Sequence, residues 1–256
     1  MRRNAETQWA DDEALNDLLL RVRNALPGLD GRVGSPRPDE LMLDRPRSLT
    51  TLLAHWQAAH PKAGRHYWAA RCWTLLVWQP IYLQVLAVQL DGQSPELEGI
   101  AQGMQQGFVA GFCLPAHQPL HADAQRLLRH AGQQIRQFCE QTHAACGALL
   151  GLHPKLAQRL AADCVMAALL HTQRTDGYGN LLLCRRADAW LDACGMQGAS
   201  GLLAVQLTDG GTRLGLQRKA CCQHFRRADG ELCDSCPKLP LAERTRRLRE
   251  QHGSAR

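Results

Sequence analysis

The chain has 256 residues, 45% hydrophobic and 21% charged, with 5% aromatic and 12 prolines, a composition that excludes disordered, collagen-like and membrane-spanning classes. At this length roughly 70–75% of the unfolded surface can be buried, so a metal or disulfide is not needed to make a core and must be explained by chemistry. The formal net charge of +6 resides in residues 213–256, where eleven Lys and Arg face five Asp and Glu, and the first 212 residues are neutral overall.

The amino terminus starts with two arginines and reaches Asp11 and Asp12 before any apolar run. It lacks a secretory h-region, and the chain is expected in the cytoplasm. Residues 11–26 read as an amphipathic helix with Leu15, Leu18, Leu19, Val22 and Leu26 on one stripe and Asp11 or Asp12 as cap. Pro27-Gly28 stops it. With Pro27, Pro36, Pro38 and Pro46, residues 27–47 are expected to form an arm or loop outside the packed layers.

Helices are expected over 49–59, 65–78 and 81–90. The uncharged stretch 72–90 is nearly long enough to span a membrane, but Gln79, Pro80, Gln84 and Gln89 interrupt it. It reads as a buried helical pair broken at Pro80, with peripheral contact to a membrane surface left open. Trp68, Trp73 and Trp78 are core residues first and substrate contacts second. The glycine-interrupted stretch 99–115 fits two short strands. Helices 121–150 and 154–171 follow, with Pro154 in the first turn of the second. A turn at 176–180 leads to a short helix over 181–193. Segments 202–207 and 212–218 flank Asp209-Gly210-Gly211 as a hairpin that delivers the chain into Cys221. Residues 241–252 read as a solvated surface helix.

Eleven cysteines are an odd count for a reducing compartment. Cys72, Cys113, Cys139, Cys146, Cys164, Cys184 and Cys194 stand singly in apolar or helical surroundings, where a thiol acts as a small hydrophobe. The other four, Cys221, Cys222, Cys233 and Cys236, fall close together near the end. Thiolates select zinc, copper(I) or iron–sulfur clusters. A zinc site usually takes two Cys-x-x-Cys knuckles, and only Cys233-Asp-Ser-Cys236 has that form. Neighbours on an extended chain point to opposite faces, so Cys221 and Cys222 reach one tetrahedral ion awkwardly, whereas a two-iron cluster relaxes the demand. On geometry alone zinc and iron–sulfur both stay open, with a vicinal disulfide as a minor third reading.

The run Arg218-Lys-Ala-Cys-Cys-Gln-His-Phe, then Cys233-Asp-Ser-Cys236-Pro237, has the spacing Cys-Cys-x10-Cys-x2-Cys. It resembles the carboxy-terminal signature of the FhuF-like ferric siderophore reductases. The resemblance implies a [2Fe-2S] cluster held by Cys221, Cys222, Cys233 and Cys236. The Trp-rich segment 73–90 and the glycine-rich stretch 108–114 are similar to the family as well, and the arm through Arg47 is not. His224 is expected to be a surface or hydrogen-bonding residue, because four thiols already fill the cluster.

Arg218, Lys219, Arg226 and Arg227 are expected either to ease reduction of the anionic cluster or to contact an anionic ferric chelate or an acidic donor. The implied reaction is one-electron reduction of a ferric siderophore, of uncertain class and with hydroxamate in view, which releases softer iron(II) from hard oxygen donors. Neither G-x-G-x-x-G nor G-x-x-x-x-G-K-[ST] occurs, so the electron is expected from a ferredoxin or a flavin reductase. No nucleic acid partner is expected. The competing readings are a zinc-stabilised four-cysteine nucleic-acid-binding module and an iron–sulfur redox or iron sensor. The expected fold is α+β, mainly α-helical with one or two small antiparallel β-hairpins and a carboxy-terminal cluster loop. Its parts are a helix and arm (1–47), a helical body (48–200), and the hairpin, cysteine motif and basic tail (201–256) in one domain with the body.

Overall fold

The computed structural model describes residues 2–208 and 210–253, without the side chains of 2–12, 46–48 and 252–253. It is a mainly helical α+β structure with small antiparallel hairpins, as the residue pattern predicts. Helix α1 (Arg2–Ala25) begins well before Asp11, so neither Asp11 nor Asp12 stands at its cap. Leu15, Leu18, Leu19 and Val22 are buried along its stripe.

The arm is not outside the packed layers. Strand β1 (Gly31–Val33) runs parallel to β4 (Phe108–Leu114), which pairs antiparallel with β3 (Ala101–Gln105). Leu29 and Leu41 are buried, and Leu41 bridges Gln102. Gly31 allows the approach, since a Cβ there would meet the Phe112 ring at 2.4 Å. Arg32 clasps Glu40 at 2.8 Å and closes the arm on itself. Prolines mark the irregular segments but do not prevent three residues between them from joining a sheet. The two strands expected over 99–115 are β3 and β4, joined by Gln106 (φ 50) and Gly107 (φ 77) in the two-residue turn that a twisted hairpin favours.

Helix α2 (Pro46–Ala59) leads to α3 (Arg65–Leu86), the axis of the core, which packs against α4 (Ala124–Leu150) and α5 (Pro154–Asp176). The expected break at Pro80 does not occur: α3 passes through it and ends in a π turn over Ala87–Asp91. Proline removes the N–H that would bond the Leu76 carbonyl. The Gln102 side chain from β3 supplies it instead, Nε2 donating to Leu76 O at 2.9 Å, while its own Oε1 accepts from Gln79 Nε2 at 3.0 Å. By length and composition Arg65–Asp91 could cross a membrane, yet 67% of its apolar window is buried within the fold.

Of the three tryptophans expected in the core, Trp73 is buried there and Trp68 and Trp78 pack half-buried against it. Trp73 donates to Ala157 O and Trp78 to Val109 O, each joining α3 to a neighbouring element, and Trp68 donates to His60 O. Two-residue strands β2 (Gln93–Ser94) and β5 (Leu120–His121) pair before α4. Asp123 caps α4, accepting from the N–H groups of Gln125 and Arg126. Residues 177–179 turn the chain into α6 (Asn180–Ala193). Strands β6 (Leu202–Gln206) and β7 (Thr212–Leu216) form the expected hairpin; Asp209 of its turn lies outside the described residues. Helix α7 (Leu241–Gly253) is polar but not wholly solvated, because Leu248 is buried against Gly215.

Candidate metal centre

The β6–β7 hairpin sets the direction from which the cysteines arrive. At its base Gln217 N donates to Gly201 O at 2.9 Å, and Arg159 Nη1 of α5 holds Lys219 O at 3.3 Å. Beyond Cys222 the backbone turns at Gln223, which has φ 62 and points its N–H at Cys221 Sγ, 3.4 Å away. A short turn at His224–Arg226 sends the chain back. The second pair sits on a tight turn closed by Cys236 N donating to Cys233 O at 2.9 Å. From α7, Arg247 Nη1 donates to Leu232 O at 2.9 Å and holds the residue before that turn.

The four sulfurs meet as two crossed pairs. Cys221 Sγ lies 3.9 Å from Cys236 Sγ, and the side chains of Cys222 and Cys233 are close enough to act on each other's protonation. The adjacent cysteines and the Cys-x-x-Cys both split, one member to each pair. Among the described residues no three His, Cys, Asp or Glu side chains gather in a group able to hold one ion. Two dithiol pairs suit two metals with two terminal thiolates each better than one tetrahedral ion, so the donor set fits a [2Fe-2S] group.

Residues 218–238 match the family model of the FhuF 2Fe-2S C-terminal domain. That is a 2Fe-2S-binding domain, and the four cysteines fit its signature. The match covers the cysteine loop and not the helical body, so it bears on the cofactor more than on the reaction. It also decides between the iron–sulfur and zinc readings that spacing left open.

Within this loop the thiols are unequal. Hydrogen bonding from Cys233 holds the Cys222 thiol below its ordinary value, helped by the His224 backbone N–H and by Arg218, against the effect of burial. Burial pushes Cys221 up to about 11. Elsewhere burial raises Cys72, Cys164 and Cys194 to about 12 and Cys146 to about 11, so these thiols keep their protons and pack as apolar side chains.

The predicted basic residues diverge. Arg218 lies among the site groups, 4.0 Å from the buried Asp163 of α5 and close enough to Cys222 and Cys233 to act on both. Lys219 turns away and donates to Gly198 O at 2.7 Å. Arg226 bonds Gln223 Oε1 at 3.1 Å, and Arg227 pairs with Asp229. Trp78, but neither Trp68 nor Trp73, lines the cavity beside Cys222 and Cys233. Three residues of that cavity, Tyr67, Arg71 and Asp163, were not among the site residues expected from the sequence, Tyr67 being read as a core aromatic. Their signal was present: Arg71 and Asp163 are lone charges inside apolar helical runs, where a charge is rarely placed without use.

Proposed function

We propose that this protein is a ferric-chelate reductase that converts the iron(III) of a ferric siderophore to iron(II), with Cys221, Cys222, Cys233 and Cys236 holding a [2Fe-2S] group. The observation that carries the reading is the pair of close dithiols inside the segment matching a 2Fe-2S domain. When bound, the group supplies electrons one at a time.

The chain's own residues provide the setting. Arg218 offsets negative charge at the Cys222 and Cys233 sulfurs, and the Gln223 and His224 backbone N–H groups are aimed at Cys221 and Cys222, which favours an electron-rich centre. The adjoining cavity, about 600 Å³, brings a small molecule to the cysteine side chains without exposing the whole loop. Iron(II) binds hard oxygen donors more weakly than iron(III), so release needs no acid or base from the protein. A ferredoxin or flavin reductase is the proposed electron donor, and the cytoplasm the proposed location.

The test is anaerobic. Protein reduced with dithionite and freed of reductant is mixed with a ferric siderophore and a ferrous trap. Reoxidation in step with trapped iron(II) supports the reductase; reoxidation by other acceptors with no iron(II) released overturns it in favour of a sensor.

A further inference from the structure

One cavity collects four buried polar atoms that make no hydrogen bond, two of which, Asp163 Oδ2 and Arg218 Nε, face each other as an ion pair at 4.0 Å. It lies between α3, α5 and the cysteine loop, about 600 Å³, with Cys222 and Cys233 in its wall. Tyr67 Oη, Arg71 Nε, Asp163 Oδ2 and Arg218 Nε all contribute to its lining residues, are buried, and make no hydrogen bond. Arg227 acts electrostatically on the Tyr67 hydroxyl without bonding it in ordinary geometry. Buried polar atoms are as a rule matched, so Tyr67 Oη and Arg71 Nε beside one space, outside the Asp163–Arg218 pair, point to a polar ligand that completes them.

Arg71 decides the sign of that ligand. Its guanidinium is stacked 4.5 Å above the Trp56 ring and 5.4 Å from Phe108, which fixes its plane. The ionisable groups that act on it most are Tyr67, Arg227, Cys72 and Cys222, none of them a carboxylate. A half-buried guanidinium without a carboxylate partner is a receptor for anionic oxygen through charge-assisted hydrogen bonds. Trp78 and Tyr82 give the same cavity aromatic walls.

We propose that this cavity binds a ferric chelate bearing anionic oxygens, carboxylate or catecholate, through Arg71 and Tyr67, in preference to a neutral hydroxamate chelate. The proposal rests on the ferric-chelate reductase reading but concerns binding alone.

Gallium(III) replaces iron(III) without being reduced, so binding is read apart from turnover. The gallium complexes of a tris-catecholate, which is anionic, and of a neutral tris-hydroxamate are titrated into cluster-loaded protein by calorimetry and tryptophan fluorescence. The anionic complex is expected to bind at least about tenfold tighter. Arg71→Gln removes that preference, Arg71→Lys restores part of it, and Tyr67→Phe weakens anion binding several-fold. Equal binding of both complexes overturns the proposal, as does a wild-type preference in Arg71→Gln or, should that variant not fold, in Tyr67→Phe. If anion preference holds while the ferrous-trap experiment fails, the reductase reading falls and the site stands.

Discussion

The Gln102 side-chain amide stands 2.9 Å from the Leu76 carbonyl and takes the place of the N–H that Pro80 lacks. A helix that residue pattern alone would cut in two therefore runs on, putting Tyr82 on the same element as Tyr67, Arg71 and Trp78 in the wall of the cavity beside the cysteine loop. Gln102→Leu should strand the carbonyl and cost about 1–3 kcal/mol in denaturant unfolding. In a Pro80→Ala background, where the helix regains its own backbone N–H, the same change should cost clearly less. Equal losses in both backgrounds would show that the amide does not serve the proline gap.

Cys222→Ser and Cys236→Ser, one from each dithiol pair, should lose or severely shift the visible spectrum and lower iron and acid-labile sulfide per chain. Cys139→Ser, in a buried thiol of α4, should leave both unchanged. A wild-type spectrum from either of the first two removes that residue from the ligand set.

Asp163 makes stability depend on pH. Burial pushes its carboxyl up to about 7 from 3.8, although Ser200 Oγ donates to Oδ1 at 2.6 Å. Between these values the unfolded chain gives up the proton while the folded protein keeps it, so stability falls as pH rises and levels off above about 7. Asp163→Asn cannot ionise, and its oxygen can still accept from Ser200. Relative to wild type it should gain on the order of 2 kcal/mol between pH 4 and 8 in thermal unfolding. A constant difference across that range would mean that the carboxyl titrates normally.

The tail clamps the loop through Arg247 and Leu232. Arg247→Ala should leave the fold intact by circular dichroism and release iron to a chelator several-fold faster. Gly215→Val, which must displace Leu248 of α7 where a Cβ already comes within 2.9 Å, should act in the same direction. Unchanged release from both variants would leave α7 as surface alone.

Much of the site was legible because it is local. Four thiols within sixteen residues and a hairpin before them are properties of neighbours along the chain, and local geometry fixes where such neighbours point. The apolar stripes of α1 and α4 were legible for the same reason. The three-residue β1 was not, since its pairing depends on Gly31 accepting the Phe112 ring from a strand far along the chain.

Cysteine identity and spacing alone determined that this chain handles a soft metal centre near its carboxy terminus. Only the tertiary structure decided that Cys221 faces Cys236 while Cys222 faces Cys233, and that Tyr67, Arg71 and Asp163 meet them across a cavity. Those relations depend on how α3 and α5 pack against the loop, and packing is chosen by complementary shape over the whole core, which no short stretch of residues encodes.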